Sequence, residues 1–252
     1  MKTSVFFMAG GSEALRLAKA ILCRHGVTFT DTPNTSVTHL LLGAPAFRDD
    51  GALKDDGRLE DILAVLNKDV CVFGGKLNHP ALDGFSTFDL LQDPVYLAEN
   101  ADITAYCALK VAQRHMPMIW KNCPVLIIGN GRIGTCLARL LKSLGARVCV
   151  ALRRDRALWE TLGYDTLDSR SLGYDLGRFS VIFNTVPAPV ISQEGLRYCQ
   201  KDCLKIELAS LPGIEGTDVI IARGLPGKEA PESSGKLIAQ TVLRRLQEGV
   251  AK

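Results

Sequence analysis

Short apolar runs alternate with stretches of helical periodicity along the chain. Ser4–Met8 reads as a first strand; Gly10-Gly11 follows, with Ser12 placed to cap a helix. That helix keeps Ala14, Leu15, Ala18, Ile21 and Leu22 at helical spacing and ends at Gly26. Val37–Leu42 and Val70–Phe73 read as further strands, Leu59–Leu66 as a short helix, and Ala44–Arg58, rich in Asp and Gly, as an exposed loop. Asp93-Pro94 has the form of a helix start, with Asp as cap and Pro in the first turn, and the pattern runs to about His115 before Met116-Pro117 stops it.

The second half begins with Val125-Leu126-Ile127-Ile128, an unbroken apolar run of the kind a strand buried on both faces requires. Ile133, Leu137, Leu140, Leu141 and Leu144 then line one face of a helix capped by Gly145, and Arg147–Leu152 is the next strand. Val181–Asn184, Leu204–Leu208 and Val219–Ile221 are later strands, and a final helix spans about Glu232 to Gln247. This alternation predicts α/β architecture with parallel sheets. The expected organisation is a small, incomplete substrate-side α/β domain over residues 1–103, a connecting helix over 104–118, a second domain over 119–228, and a helix over 229–252 that packs back across the domain junction.

Composition changes little. The chain has 252 residues, 47% hydrophobic and 23% charged, with a net charge of +3 and acids and bases interspersed. No basic stripe points to nucleic acid, and no apolar run of eighteen residues points to a membrane span. A strand accounts for Met1–Gly10 better than a signal peptide does, so a cytoplasmic protein is expected. The eight cysteines contain no Cys-x-x-Cys and do not group with the four histidines. They read as small buried hydrophobes rather than disulfides or metal ligands, although Cys199 and Cys203 have the spacing to share a helix face. No metal site is expected.

The chemistry is concentrated at Gly129-Asn130-Gly131-Arg132-Ile133-Gly134, which fits G-x-G-x-x-G. Alone the pattern is weak, but here it follows a buried strand, opens an amphipathic helix and leads to a second strand. Gly129 permits the tight turn, Gly131 lets the backbone approach a pyrophosphate, and Gly134 allows close helix–strand packing. The helix N-terminus offers N–H groups and a positive dipole end to the phosphates. The fold expected is thus two Rossmann-like parallel-sheet domains, the C-terminal one a complete NAD(P)-binding fold. After the second strand, where an NAD enzyme usually carries an acid, the chain reads Leu152-Arg153-Arg154-Asp155. Arginine pairs bidentately with the 2′-phosphate of NADP, which favours NADP and leaves NAD open; Asp155 lies late for the acid position and is placed to cap the next helix.

Two more loops leave strands of the same sheet, Asn184-Thr185-Val186-Pro187 and Ala209-Ser210-Leu211-Pro212-Gly213. They are expected to flank the nicotinamide, with Thr185, Val186, Pro187 and Ser210 as cofactor contacts. A third loop, with Gly224, Leu225 and Pro226, leads to a helix N-terminus around Ser233 suited to a carboxylate. Gly10, Gly11 and Ser12 make a comparable anion-friendly turn in the first domain. No histidine lies in the second domain, and no hydrolase, zinc-protease or phosphate-loop motif occurs.

The blocks at Gly129–Gly134, Asn184–Pro187, Leu208-Ala209-Ser210 with Pro212-Gly213, and Gly224–Gly227 with Ala230-Pro231 resemble the A subunit of dipicolinate synthase. The likeness is best from about Val125 to Leu243. It implies a two-domain enzyme that uses NADP to oxidise a cyclic dihydrodipicolinate-type dicarboxylate, as in sporulating bacteria. It also implies a small flavoprotein-like second subunit; self-association of the chain into a homo-oligomer is expected as well. Where the family has Asn-x-x-Pro-Thr-x-Glu-Gly, this chain has Asn100-Ala101-Asp102-Ile103-Thr104-Ala105-Tyr106-Cys107, with Ile103, Tyr106 and Cys107 in place of Pro, Glu and Gly. Thr104 and Tyr106 are the catalytic candidates that remain there, and packing of the helix is an equal account of them. The alternatives are a dehydrogenase of another small carboxylate and a non-catalytic NAD(P)-binding subunit.

Overall fold

The computed structural model describes residues 4–54 and 57–249. Parts of the expectations for the N-terminal segment, the loop over 44–58 and the end of the final helix fall on 1–3, 55–56 and 250–252, outside the described residues. The chain forms two compact units: residues 1–100 with 226–252, and residues 101–225.

The first unit is built on a sheet of five parallel strands. In chain order its elements are β1 (Val5–Met8), α1 (Glu13–Arg24), β2 (Thr28–Thr30), β3 (His39–Leu41), α2 (Leu59–Ala64), β4 (Cys71–Gly74) and β5 (Ser86–Asp89). The spatial order is β2-β1-β3-β4-β5, so the domain expected to be incomplete is a full doubly wound sheet. Two of its strands escape the hydrophobic pattern because they are short edge strands. β2 reads Thr-Phe-Thr and β5 Ser-Thr-Phe-Asp, and an edge strand has water on one side. Ser12 caps α1 as its position predicts, its hydroxyl accepting from Leu15 N–H at 3.3 Å.

The helix expected at Asp93 begins there. Asp93 accepts from Tyr96 N–H at 2.8 Å, and α3 (Pro94–Gln113) runs without a break, its first seven residues in this unit and the rest in the second. The Asp93 carboxylate, almost fully buried, also accepts from Arg244 and Arg245, each at 2.7 Å. These arginines lie on the final helix, which therefore belongs to the first unit and packs along α1. Gly235 makes the approach possible: a Cβ there would stand 2.6 Å from the Ala14 carbonyl oxygen and 2.8 Å from Leu17 Cβ.

The second unit has six parallel strands: β6 (Pro124–Ile128), β7 (Arg147–Leu152), β8 (Asp165–Asp168), β9 (Val181–Asn184), β10 (Leu204–Glu207) and β11 (Val219–Ile221). Helix α4 (Arg132–Ser143) joins β6 to β7, and α5 (Arg156–Thr161) joins β7 to β8. The order β11-β10-β9-β6-β7-β8 is the dinucleotide-fold arrangement, reversing direction between β6 and β9. Leu126, Ile127 and Ile128 are wholly buried, as the unbroken apolar run demands. On α4, Leu137 and Leu141 are buried, but Leu144 is 46% exposed because the helix has ended at Ser143.

After β11 the expected loop instead forms a short helix, α6 (Leu225–Glu229), and the final helix is α7 (Pro231–Gln247). Cys199 and Cys203 do not share a helix face; Cys199 closes a 3-10 turn and Cys203 precedes β10. Five cysteines are buried, among them Cys149, whose thiol burial pushes up to about 12, while Cys23 is exposed. No helix among the described residues is long and apolar enough to cross a membrane.

Candidate functional site

In a doubly wound sheet, ligands collect at the C-terminal strand ends where the order reverses. In the second unit that point lies between β6 and β9, and the turn after β6 is Gly129–Gly134. Its glycines divide the work in a way the backbone shows. Gly129 has φ +102°, and a Cβ there would lie 2.5 Å from Thr185 Oγ1 and 2.7 Å from Val186 Cγ2. A Cβ on Gly134 would collide with the Gly129 carbonyl oxygen, so helix and turn close on each other only through glycine. Gly131 is different: nothing lies within 4 Å of where its Cβ would be. It is the residue that leaves the backbone open to an incoming group. It also stands at the N-cap of α4 with no side chain capping the helix, so the first N–H groups keep their capacity for an anion.

Beside the turn is a hollow of about 410 Å³ lined by Gly129, Asn130, Ala151, Leu152, Arg153, Arg154, Asp155, Ser169, Val186 and Val190. The structure thus brings together the glycine turn, both arginines and Val186. Arg153 and Arg154 are exposed at the end of β7, able to turn toward a ligand. Asp155 stands at the N-cap of α5 in the left-handed region, φ +64°, but its side chain makes no cap hydrogen bond, contrary to expectation. Arg132 is the exposed first residue of α4 and Ile133 is half-buried behind it.

Thr185 anchors the loop that carries Val186. Its hydroxyl donates to Ile128 O at 2.8 Å and its N–H to the same oxygen at 3.0 Å, which seats the β9 loop on the end of β6. Pro187 and Ser210 are exposed on the two loops. Under those loops lies a network that the sequence pattern does not disclose. Asn184 and Glu207, paired in register at the ends of β9 and β10, are both completely buried. Asn184 Nδ2 donates to both carboxylate oxygens of Glu207, at 2.8 and 3.0 Å. The same carboxylate accepts from Ala209 N–H at 3.1 Å, Gly213 N–H at 2.7 Å and Ile214 N–H at 3.2 Å. A glutamate at the end of the strand Leu204-Lys205-Ile206-Glu207 is the one signal of it in the sequence.

The remaining candidates are scattered. Thr104 and Tyr106 are two residues apart on α3 and so point to different sides; Thr104 is buried and Tyr106 is 57% exposed. Gly224 has φ +64°, while Leu225 and Pro226 are buried in α6 and Ser233 is exposed in the first turn of α7. In the first unit, Gly10 has φ +135° and Gly11 has open space around it, and the Ser12 hydroxyl is engaged as the cap of α1.

No family model matches the chain. Among curated proteins it is similar to the A subunit of dipicolinate synthase of Bacillus subtilis, 27% identical over 171 residues. That match covers 61% of this chain and 58% of that protein, so the chain spans less than two thirds of the relative it matches. Among solved structures it superposes on the A subunit of dipicolinate synthase from Bacillus halodurans with a TM-score of 0.84, at 21% identity over 98% of both chains. It also superposes on a transhydrogenase from Sinorhizobium meliloti with a TM-score of 0.71, at 14% identity over 98% of this chain and 95% of that one. The resemblance read from the glycine turn and the later loops thus has a counterpart in both comparisons: the chain is similar in sequence to a dipicolinate synthase A subunit and shares the fold of another.

Proposed function

We propose that the chain is an NAD(P)-dependent oxidoreductase of the dipicolinate synthase type, corresponding to that enzyme's A subunit, that it prefers NADP, and that it oxidises a cyclic dihydrodipicolinate-type dicarboxylate to dipicolinate. The observation that carries the reading is the hollow lined by Gly129 and Asn130 of the glycine turn and by two exposed arginines, next in sequence to the uncapped N-terminus of α4. The residues fit the dinucleotide. Gly129, Asn130, Gly131, Arg132, Ile133 and Gly134 supply N–H groups and helix dipole to the pyrophosphate, and Arg153 and Arg154 the paired donors for a 2′-phosphate. Thr185, Val186, Pro187 and Ser210 flank the nicotinamide half. When bound, the oxidised nicotinamide is the hydride acceptor.

On the substrate side, Gly10, Gly11 and Ser12 and the group Gly224, Leu225, Pro226 and Ser233 are the candidate anchors for carboxylates. Thr104 and Tyr106 are the candidates at the reacting ring. Tyr106 stands where the family pattern has an acid, and its phenol serves as a hydrogen-bond donor rather than a carboxylate base. A flavoprotein-like second subunit, self-association and a cytoplasmic setting accompany this reading.

The test is turnover of the dihydrodipicolinate synthase product with NADP, with and without the second subunit, followed by dipicolinate absorbance. Michaelis constants for NADP and NAD in Arg153→Ala and Arg154→Ala decide the cofactor. The expected result is a rise of about tenfold for NADP alone, the worth of one charge-assisted pairing. Equal constants in the wild type, unchanged in both variants, would sink the NADP assignment. Cofactor binding without turnover would instead make the chain a non-catalytic dinucleotide-binding subunit.

A further inference from the structure

Glu207 is a completely buried carboxylate held by N–H donors: one side-chain amide and three backbone groups, with no cation paired to it among the described residues. Such a group is costly to bury and stays only where its hydrogen bonds are made. Every one of those bonds goes to a residue at the C-terminal strand ends. The strands beneath do not need it, because β9 and β10 are paired by backbone from Leu204↔Val181 to Glu207↔Asn184. Above them the carboxylate fastens the 209–214 loop through Ala209, Gly213 and Ile214, and the 184–187 loop through Asn184.

Asn184 passes the constraint on. Its Oδ1 accepts from Val186 N–H at 3.0 Å and its Nδ2 donates to Val186 O at 3.0 Å, so both backbone polar groups of that residue are set by one side chain. Val186 in turn stands against Gly129, where even a Cβ would touch it. Gly213 is held as closely, since a Cβ there would collide with Asn184 Nδ2. A continuous path therefore leads from Glu207 to the two loops beside the site and to the glycine turn itself.

We propose that Glu207 is a positioning residue for the nicotinamide half of the cofactor: through Asn184 it fixes Val186 and through Gly213 and Ile214 the Ser210 loop. The inference rests on the dinucleotide reading. In this fold the two halves of a dinucleotide lie over the two halves of the sheet. The adenosine half, with the 2′-phosphate, belongs over β7 by Arg153, and the nicotinamide half over β9 and β10. Glu207 touches the second half only.

Glu207→Gln is nearly isosteric, yet it places an NH₂ group against at least one backbone N–H whichever way the amide turns. The loops must shift while the adenosine side is left alone. NADPH and adenosine 2′,5′-bisphosphate, which has no nicotinamide, are titrated into wild type and variant, with the fluorescence of bound NADPH recorded. The expected result is an NADPH affinity about tenfold or more lower, with altered emission, and bisphosphate affinity within about twofold of wild type. Asn184→Ser, which cuts the link to Val186 but leaves the backbone donors on Glu207, should show the same split more weakly. Equal binding of NADPH by wild type and both variants overturns the proposal. So does parallel loss of both ligands in both variants, which would make the network a support of the whole unit. If wild type binds neither ligand, the dinucleotide reading falls first and takes the proposal with it.

Discussion

Mild acid should weaken the first unit through one histidine. His39 sits on the central strand β3, 6% exposed, its ring stacked on Phe6 at 4.6 Å between centroids and close to Phe73. Its Nδ1 lies 2.8 Å from Thr38 Oγ1, which is also 3.0 Å from Val5 O. Nε2 is buried without a hydrogen-bond partner among the described residues. Burial among phenyl rings penalises the imidazolium and lowers the pKa from 6.5 to about 4. Between those values the unfolded chain binds the proton and the folded one does not, so stability is intact above 6.5 and falls as pH drops toward 4. Linkage over that interval gives a loss of roughly 2 kcal/mol by about pH 5 and about 3 kcal/mol when complete, a large part of a typical domain's stability. Urea unfolding followed by circular dichroism at pH 7, 6 and 5 in wild type and His39→Phe measures it. Phe keeps the stack and does not titrate, and subtraction removes the carboxylates common to both. The variant should lose roughly 2 kcal/mol less between pH 7 and pH 5. Parallel pH dependences in the two proteins would refute this account of His39.

Gly134→Ala drives a methyl group into the Gly129 carbonyl and should lower NADPH affinity by about tenfold or more, with a stability loss of roughly 1–3 kcal/mol; calorimetry and a thermal melt check the two effects. Asp93→Ala removes the shared partner of Arg244 and Arg245 together with the cap of α3. Because the arginine side chains are 31% and 25% exposed, the expected loss is about 2 kcal/mol, below that of a fully buried ion pair, and urea unfolding would show it. Gly235→Ala forces α7 away from the Ala14 carbonyl and should cost about 2 kcal/mol, with proteolysis advancing in the first unit and not the second.

The second unit is legible in the sequence because its central strands are continuous apolar runs and its turn needs glycine at fixed offsets. Val125–Ile128, Arg147–Leu152 and Val181–Asn184 all lie in strands, as their patterns predict. β8 is not legible: Asp-Thr-Leu-Asp is an edge strand with little apolar pattern, like β2 and β5 in the first unit. The candidate site is half legible. Gly129, Asn130, Arg153, Arg154 and Val186 meet in one hollow, since motif and strand order together fix where strand ends lie. Glu207 is hidden because a glutamate usually reads as a solvated charge, and only tertiary structure shows that its partners are the amides of a loop folded back over it. Thr104 and Tyr106 are singled out by spacing in a family pattern, and on a helix that spacing separates them.

Gly235 also bears on the order in which the chain can become folded. The second unit is one uninterrupted stretch, residues 101–225, and every strand of its sheet is present once Ile221 has left the ribosome. The first unit is not. Its sheet is synthesised first, but the helix that covers α1 and carries both arginines for Asp93 comes last. Until then Ala14, Leu17 and Ala18 of α1 lack the helix that packs on them, and the Asp93 carboxylate lacks its cations. The unit whose sheet is made before the second is therefore finished after it, and a nascent chain released before α7 would hold a completed second unit and a first one with α1 uncovered.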